Sequence, residues 1–571
     1  MRVSIRPRSV RHLCLLVFSL SAIGACTVAP LTLKVDEKAT APVIDGFGAS
    51  TLVPSVANEA ARRLFAQGMA QVYAFNEVEA IRSFKAALAQ DPNCAMCAWG
   101  VALKMGPHIN NPTRGDLRVA MSYLDYAVRH KQGASERDQA LIDSLAVRYG
   151  HVAARALPPV PGADICRAPG GAKADPLDIA YADHMRALAA RFPDDPDVLS
   201  QYAEAAMVAT SRMDWWDRET GKPAPRIGEL ATMLEASLKQ HPEHVGLNHY
   251  MIHAVDAVQV APRAVASADR LGKLAPKSPH LLHMPSHTYA LVGRYADATR
   301  VNQLAVAADE ALAEDMKKQN FSVTKDWRGH NTHFQWYGAL MEGRAELALT
   351  TARTAAGRAK GDHEFAEYTR SLPLLTLLHL QRWDALLKEP AATGNKGIAA
   401  LLADMSRGIA MARSGQVAEA RAALARIETT AKKLTAKHSG TDGGSKIIRS
   451  LANSAPAQLG AEIAWAEQRI DDALALQAKA VAVGADADMT EPPMLAGGPR
   501  LRLGRMQLQA KRFTAAEQTF RADLALRPAN GWALQGLEKA LAEQGKQAGA
   551  VRAKADLAAS WPLAESEVRA N

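Results

Sequence analysis

The chain has 571 residues, more than the roughly 250–300 at which a single hydrophobic core stops growing, so several domains or a repeat array are expected. Apolar residues make up 48% and aromatic residues only 5%, which favours helices packed on helices over β-sandwiches. The formal charge of +9 falls to +5 when the four arginines of residues 1–25, a segment without acidic residues, are removed. A charge that small, spread along the chain, gives no support for nucleic-acid binding.

The chain begins with the features of an export signal. Within residues 1–25, arginines precede an uncharged apolar run over residues 13–25 that is too short to span a bilayer. The run ends in Ile23-Gly24-Ala25-Cys26, which resembles a bacterial lipobox, so Cys26 is predicted to be lipidated. An ordinary cleaved signal with a chance cysteine is the alternative. Because Thr27 rather than Asp follows, we predict a periplasmic protein held at the outer membrane only by its N-terminal lipid.

The rest of the chain divides by composition into a tether and two helical arrays. Residues 26–56 have Pro and Val but little helical periodicity, and are predicted to be a tether. Helical pairs separated by Pro, Asp and Gly follow over residues 57–430, and again over 446–571. The stretch Lys432–Ser445, with its Lys, Gly, Ser and Thr, is predicted to link the two arrays.

The repeat pattern predicts the fold. Tetratricopeptide (TPR) repeats recur at about 34 residues, with small residues where two helices cross and Pro after the second. Two units each match five repeat positions: Gly68, Ala80, Phe84, Ala87 and Pro92, and then Leu503, Gly504, Ala516, Phe520 and Pro528. The small residues at positions 8 and 20 are expected to meet at the helix crossing. Each pair leaves an apolar face for the next pair to cover, so we predict an all-α, TPR-like solenoid, a superhelix of antiparallel helix pairs.

Histidines recur at matching positions of three middle repeats. In the unit beginning at Val245, positions 5 and 9 of the first helix are His249 and His253. In the unit beginning at Pro279, positions 2, 5 and 9 are His280, His283 and His287, and in the unit beginning at Gly329, positions 2 and 5 are His330 and His333. Spacings of three and four residues place side chains on one helix face, and in TPR folds these positions line the concave groove. Together with Asp256 at position 12, these histidines are predicted to line one cavity.

Three interpretations of the histidines remain open from the sequence. Two His-x-x-x-His helices side by side would offer one divalent ion, Zn²⁺ or Cu²⁺, the four imidazoles of His249, His253, His283 and His287. A polar groove for a peptide, a protein segment or a small polar ligand explains the pattern equally well. Hydrogen-bonded stacking of neutral imidazoles explains it without any ligand.

Several motifs carry a family resemblance: N-H-Y-M-I-H (248–253), H-L-L-H-M-P-S-H-T-Y (280–289), D-P-N-C-A-M-C-A-W-G (91–100), E-P-P (491–493) and N-G-W-A-L (530–534). With them the chain resembles a group of exported bacterial TPR proteins that carry HYxIH, HMPSH and EPP motifs. The resemblance covers nearly all of the predicted folded part of the chain. It implies the fold and the location of the protein, but not its chemistry. The chain departs from the pattern after Pro493, where Met494-Leu495-Ala496 stands in place of aromatic residues, which puts in doubt any contact those aromatics would make with a ligand.

The sequence favours a binding protein over an enzyme. It contains no Gly-rich phosphate loop after a strand, no Gly-x-Ser-x-Gly elbow and no His-Glu-x-x-His motif. We therefore favour a scaffold that holds a peptide, protein or small polar ligand in its histidine-lined groove. The alternative is a transition-metal protein or metal-dependent hydrolase on the same histidines, with Asp256 or Glu491 as the base.

Two cysteines lie close together at the start of a predicted helix. Cys94 and Cys97 follow Asp91-Pro92-Asn93, and in an oxidising periplasm they are expected to pair with each other or to serve as small packing residues. A redox pair is the alternative, since the helix start lowers a thiol pKa, but the βαβ context of thioredoxin-type motifs is missing.

Overall fold

The computed structural model describes residues 32–110, 117–151, 175–210, 215–217, 220–323, 326–390 and 396–570. Twelve helices form the first part of the array: α1 (Glu59–Tyr73), α2 (Glu77–Gln90), α3 (Ala95–Met105), α4 (Arg118–His130), α5 (Glu136–Arg148), α6 (Pro176–Arg191), α7 (Pro196–Val208), α8 (Pro225–Gln240), α9 (Val245–Ala254), α10 (Val265–Leu274), α11 (Pro279–His283) and α12 (Pro285–Leu291).

The array continues through α13 (Tyr295–Lys318), α14 (Arg328–Met341), α15 (Ala345–Arg358), α16 (Glu364–Arg370), α17 (Leu372–His379), α18 (Trp383–Lys388), α19 (Gly397–Arg413), α20 (Val417–Lys437), α21 (Gly443–Ala466), α22 (Ile470–Val483), α23 (Ala485–Asp488), α24 (Gly498–Gln509), α25 (Phe513–Leu526), α26 (Gly531–Glu543), α27 (Gln547–Ser560) and α28 (Ser566–Ala570). In these ranges no strand forms, and the backbone bridge between Trp216 and Pro223 is isolated.

Helices that follow one another in the chain pack against one another, from α1 and α2 to α26 and α27. Packing between helices that are consecutive in the chain is typical of a helical-repeat array, because each helix pair buries the apolar face of the preceding pair. The prediction of an all-α, TPR-like solenoid is confirmed.

The small residues of the repeat have a different neighbour from the expected one. A Cβ added at Gly68 would lie 2.5 Å from the ring of Phe84, and one at Gly504 would lie 2.6 Å from the ring of Phe520. The nearest atoms to the position-8 glycine thus belong to the aromatic ring at position 24.

The core consists of two large apolar clusters joined end to end. The first runs from Phe47 to Val301 and the second from Tyr295 to Val568, so both include residues of the 24-residue helix α13. The stretch Lys432–Ser445, predicted as a loose link, is largely helical, because α20 extends to Lys437 and α21 begins at Gly443. These two helices pack together, and the second core continues across them.

The last repeats fold back onto the middle of the chain. The indole Nε1 of Trp532 donates to the carbonyl of Leu340 at 2.9 Å, and that of Trp561 donates to the carbonyl of Met341 at 2.9 Å. The two indole rings contact each other edge to face, 4.9 Å between centroids. The array therefore closes on itself, a contact between segments about 200 residues apart.

Gly531→Ala tests this closure. The new Cβ would lie 2.0 Å from the Trp561 ring, which is buried and cannot move without losing its hydrogen bond to Met341. We expect the free energy of unfolding, measured with denaturant, to fall by about 1–3 kcal/mol. Gly357→Ala is the control, since nothing lies within 4 Å of its Cβ position. Equal stabilities of the two variants would contradict the packing described.

The predicted tether is not free where the structure describes it. Residues 32–56 contain no helix, but Phe47 and Leu52 are buried in the first core. The amide of Val43 donates to the side chain of Gln319 at 2.7 Å, and the amide of Lys277 donates to the carbonyl of Gly46 at 2.9 Å. The segment was mistaken for a tether because its contacts are made by an irregular backbone, which carries no periodic signal.

Asp197 fixes part of this segment. Its carboxylate accepts hydrogen bonds from Ser50 at 2.7 Å, from Thr51, from Tyr73 at 2.5 Å and from His244 at 3.2 Å. Burial alone raises the pKa of this carboxyl, but the contacts with His244, Thr51 and Tyr73 outweigh burial and lower the pKa to about 2. The ionised carboxylate is therefore the form that stabilises the fold.

Asp197→Asn is expected to lower the free energy of unfolding by about 2 kcal/mol near neutral pH. Because the folded-state pKa lies below the unfolded one, this contribution is present above about pH 4 and is lost as the pH falls toward 2. Denaturant titrations of both chains at several pH values measure the difference. A difference that stays constant from pH 6 to the acid limit would contradict this account.

Cys94 and Cys97 are joined by a disulfide at the start of α3. Cys26 and the predicted signal at residues 1–25 lie outside the described residues. Among the helices of the described ranges, none combines the length and apolarity that crossing a membrane requires.

Candidate functional site

The histidines lie on helices of three successive repeats. Helix α9 carries His249 and His253, α11 carries His280 and His283, α12 carries His287, and α14 carries His330 and His333. Short helices α11 and α12 follow one another because Ser278 caps the first, accepting from the amide of Leu281, and Pro285 begins the second. All of these rings are buried except that of His330, which is partly exposed.

Three of the rings form a first trio: His249, His253 and His280. The Nε2 atom of His249 lies 3.0 Å from that of His253 and 3.2 Å from that of His280. Nitrogen ligands bound at 2.0–2.1 Å to a tetrahedral ion are about 3.3 Å apart. The two distances from His249 therefore match the edges of a metal site to within a few tenths of an ångström.

The protonation of His249 is set by its neighbours. Its Nδ1 lies 2.7 Å from the carbonyl oxygen of Tyr73, which can only accept, so Nδ1 carries the proton and Nε2 carries the lone pair. Burial lowers the pKa of this imidazole to about 3, which keeps the ring neutral at physiological pH. A neutral ring with an oriented Nε2 lone pair is the form that binds a transition metal.

Aromatic side chains enclose the first trio. The Phe75 ring lies 4.5 Å from His249, 5.5 Å from His253 and 5.0 Å from His280, between centroids. On its other side, His280 stacks on Trp327 at 4.3 Å. Phe75 reaches this position from the turn after α1, where its backbone has a φ of 51°. These aromatic rings therefore cover part of the trio, whose own rings have almost no exposure to water.

The second trio consists of His283, His287 and His330. Nε2 of His283 lies 3.0 Å from Nε2 of His287, and the ring centroids of His283 and His330 are 4.6 Å apart. Within each trio, one ligand nitrogen per ring lies within 4.8 Å of the other two. The ring of Phe334 packs against both His283, at 4.7 Å, and His287, at 4.6 Å.

The side chain of Asn302 orients the ring of His283 in the same way that the backbone carbonyl of Tyr73 orients the ring of His249. The amide nitrogen of Asn302 donates to the carbonyl of Ala298 at 2.7 Å, so its Oδ1 faces Nδ1 of His283, 2.7 Å away, and accepts from it. This leaves the Nε2 lone pair of His283 directed at His287. Burial, and then the charge of His287, hold the pKa of His283 well below its usual value.

Two carboxylates border the second trio. Nδ1 of His287 lies 3.3 Å from Asp256 and 3.6 Å from Glu491, at the ring edge opposite the Nε2 that faces His283. A carboxylate in this place orients a histidine and increases its basicity as a ligand. The predicted role of Asp256 or Glu491 as a base has less support than this orienting role, because both contact the ring edge away from His283.

The grouping differs from the predicted one in two respects. The pairs His249–His253 and His283–His287, predicted to share one ion, belong to different trios, each completed by a histidine from repeat position 2. His333 belongs to neither trio: its Nε2 donates to the hydroxyl of Tyr368 at 2.9 Å, which in turn donates to the carbonyl of Met494 at 2.8 Å. Burial lowers the pKa of His333 to about 3.

No pattern in the sequence indicated the residues that orient and enclose the rings. Tyr73 acts through its backbone carbonyl, which any residue has. Phe75 lies in the turn after α1, Trp327 is the N-cap residue of α14, and Asn302 lies on a helix with no histidine. These residues are identified only by their contacts with the histidines in the folded structure.

No protein-family model and no curated protein matches the sequence. Among solved structures, the human IFIT1 dimer with m7Gppp-AAAA has a TM-score of 0.31 at 10% identity over 88% of this chain and 95% of that chain. Naa15/Naa10 bound to HypK-THB gives 0.22 at 10% over 90% of each chain, and the APC/C hetero-tetramer Cut9–Hcn1 gives 0.24 at 13% over 90% of this chain and 96% of that chain. Similarities at this level support no inference about the site.

Proposed function

We propose that the protein is a transition-metal-binding helical-repeat protein that holds two divalent ions, Zn²⁺ or Cu²⁺, one in each trio. The observation that carries the proposal is the convergence of three imidazoles, twice, with one ligand nitrogen per ring within 4.8 Å of the other two and the closest pair of each trio 3.0 Å apart. Imidazole is a good ligand for both ions, and the trios themselves contain no carboxylate of the kind that suits Mg²⁺, Ca²⁺ or Mn²⁺.

An ion explains the first trio better than hydrogen bonds between the rings. Since Nδ1 of His249 donates to Tyr73, Nε2 has a single in-plane lone pair, which suits one hydrogen-bond donor. Two other Nε2 atoms approach that same atom, at 3.0 and 3.2 Å. A cation between the rings accepts a lone pair from each of the three.

Burial argues against an open groove as the function of these histidines. His249 and His283 are fully buried, and His253, His280 and His287 are at most 5% exposed, so a peptide cannot lie against these rings. A protein or peptide partner on another face of the array stays a prediction, as does the small polar ligand. Helical-repeat arrays offer extended binding surfaces in general, which is the support for that partner.

Metal analysis of the protein, purified without a histidine tag, tests the proposal. The metal-free chain is mixed with excess Zn²⁺ or Cu²⁺, passed through a desalting column and analysed for metal. We expect two equivalents of at least one of the ions per chain. Less than about half an equivalent of either ion would refute the proposal, and a single equivalent would refute its two-site form.

We also propose that the protein works outside the cytoplasm, anchored through Cys26. The support is the sequence of residues 1–26, together with the disulfide between Cys94 and Cys97, since such bonds persist in oxidising compartments. The resemblance to exported bacterial TPR proteins points to the same location. Labelling with a radioactive fatty acid, lost in Cys26→Ala, is the test.

A further inference from the structure

A narrow, partly open cavity lies within the second core. Its walls come from α14, α17, α19, α21, α24 and the segment just before α24, and none of its lining residues belongs to either histidine trio. Most of the lining side chains are apolar: Trp336, Leu340, Leu375, Leu378, Met405 and Met494. A wall of this kind suits the hydrocarbon part of a small molecule.

Three buried polar side chains, those of His379, Gln458 and Arg502, also line the cavity. The buried atoms Nη1 of Arg502 and Nε2 of His379 have no hydrogen-bond partner within the described part of the protein. Burial, and then the charges of neighbouring arginines, hold the pKa of His379 well below its usual value. The neutral ring has one N–H to donate, so the cavity offers hydrogen-bond donors beside its apolar wall.

Three arginines near the cavity share one carboxylate. Nε of Arg413 lies 2.5 Å from Glu462, and Nε of Arg502 lies 3.7 Å from the same carboxylate. Arg505 lies over the ring of Trp532, 5.6 Å from its centroid, and forms no ion pair with the described residues. Burial, and then the charges of Arg502 and Arg413, lower the pKa of Arg505 to about 10, so this guanidinium is still charged at neutral pH.

A fourth arginine, Arg527, acts on His379 but is already neutralised. Its Nη1 lies 3.0 Å from Asp488, and its Nε donates to Asp523 at 3.1 Å. The whole group thus contains four guanidinium groups and three carboxylates, which leaves one positive charge in excess. A buried charge without a counter-charge is costly, and an anion of single charge would remove that cost.

We propose that this cavity binds one small monocarboxylate. The carboxylate accepts hydrogen bonds from Arg502 and His379, and a guanidinium group suits this role because its parallel N–H groups match the two carboxylate oxygens. The short hydrocarbon part packs against Leu378 and Met405. A phosphate dianion fits less well, because it brings two charges to an excess of one and has nothing to place against the apolar wall.

Equilibrium dialysis of the chain against radiolabelled butyrate is the test. A chelator keeps the chain metal-free, because carboxylates also coordinate the ions proposed for the trios. We expect saturation at one butyrate per chain. Neither butyramide, which has nearly the same shape without the charge, nor inorganic phosphate at equal concentration should displace it. Absence of saturable binding, or displacement by either competitor, would refute the monocarboxylate site.

Two variants locate the bound butyrate. Arg502→Gln should weaken its binding at least about tenfold, since a hydrogen bond to a charged group is lost. Met494→Phe narrows the cavity but keeps every arginine, and should weaken binding as well. Arg426→Gln, at an exposed arginine paired with Asp404, should bind butyrate like the wild-type chain.

Circular dichroism shows which of these variants keep their helices. If Arg502→Gln does not fold, Met494→Phe alone decides, because it removes no charge. Wild-type affinity for butyrate in either folded cavity variant would place the ligand elsewhere and overturn the assignment.

Discussion

A chain carrying His249→Gln is expected to bind one metal ion instead of two. Glutamine keeps the bulk of the side chain but removes the oriented Nε2 lone pair around which the first trio is arranged. We expect affinity at this pocket to fall by at least about 100-fold, beyond the 10–100-fold that follows the loss of a residue orienting a metal ligand. Metal analysis after desalting counts the remaining ion.

Matched variants assign the two ions to the two trios. His283→Gln should also leave one ion, and the double variant none. Asn302→Ala, which removes the acceptor for Nδ1 of His283, should weaken the second pocket by about 10–100-fold while retaining its ligands. His333→Gln should still bind two ions, because that ring contacts Tyr368 rather than either trio. A full complement of two ions in the double variant would place the metal elsewhere.

Metal loading is expected to stabilise the folded chain strongly. An ion that binds the folded state alone adds about 4 kcal/mol when its free concentration is 1,000 times its dissociation constant. For a protein of this size we expect a rise in the unfolding midpoint on the order of 5–10 °C, measured by thermal scanning of the metal-free and Zn²⁺-loaded chain. The rings of α9, α11, α12 and α14 would then be held to one another through the ions.

Two controls make the stability measurement specific. Mg²⁺ should raise the midpoint far less than Zn²⁺, because this ion takes oxygen ligands, which here come from Asp256 and Glu491 beside His287 and not from the trios. The double variant His249→Gln/His283→Gln should lose the response to Zn²⁺. If that variant is stabilised as much as the wild-type chain, the ions act at other places and the assignment to the trios is wrong.

The fold was predictable because the same local sequence pattern recurs from one repeat to another. Gly504, Phe520 and Pro528 repeat the spacing of Gly68, Phe84 and Pro92, and each unit packs mainly on its neighbours. The closure of the array was not predictable, because the contact between Trp532 and Leu340 joins residues far apart in the sequence, and no periodicity records it. The irregular segment around Ser50 was missed for the same reason.

The sequence predicted which histidines take part in the candidate site, but not which of them lie together in each trio. Helical spacing brings His249 and His253 to one face, and the repeat predicts that His283 and His287 follow. The third histidine of each trio depends on how far one repeat is displaced relative to the next. That displacement is set by how the helices pack, which the sequence pattern does not show. Burial was missed because Phe75 and Trp327, which cover the first trio, lie between helices, where the repeat pattern does not place them.

The most direct test of the account is a crystal structure of the protein grown with Zn²⁺, with data collected on both sides of the zinc absorption edge. The account predicts two anomalous peaks per chain, each about 2.0–2.1 Å from three histidine nitrogens, one among His249, His253 and His280 and one among His283, His287 and His330. Zinc bound elsewhere, with both trios filled only by hydrogen-bonded rings, would contradict it.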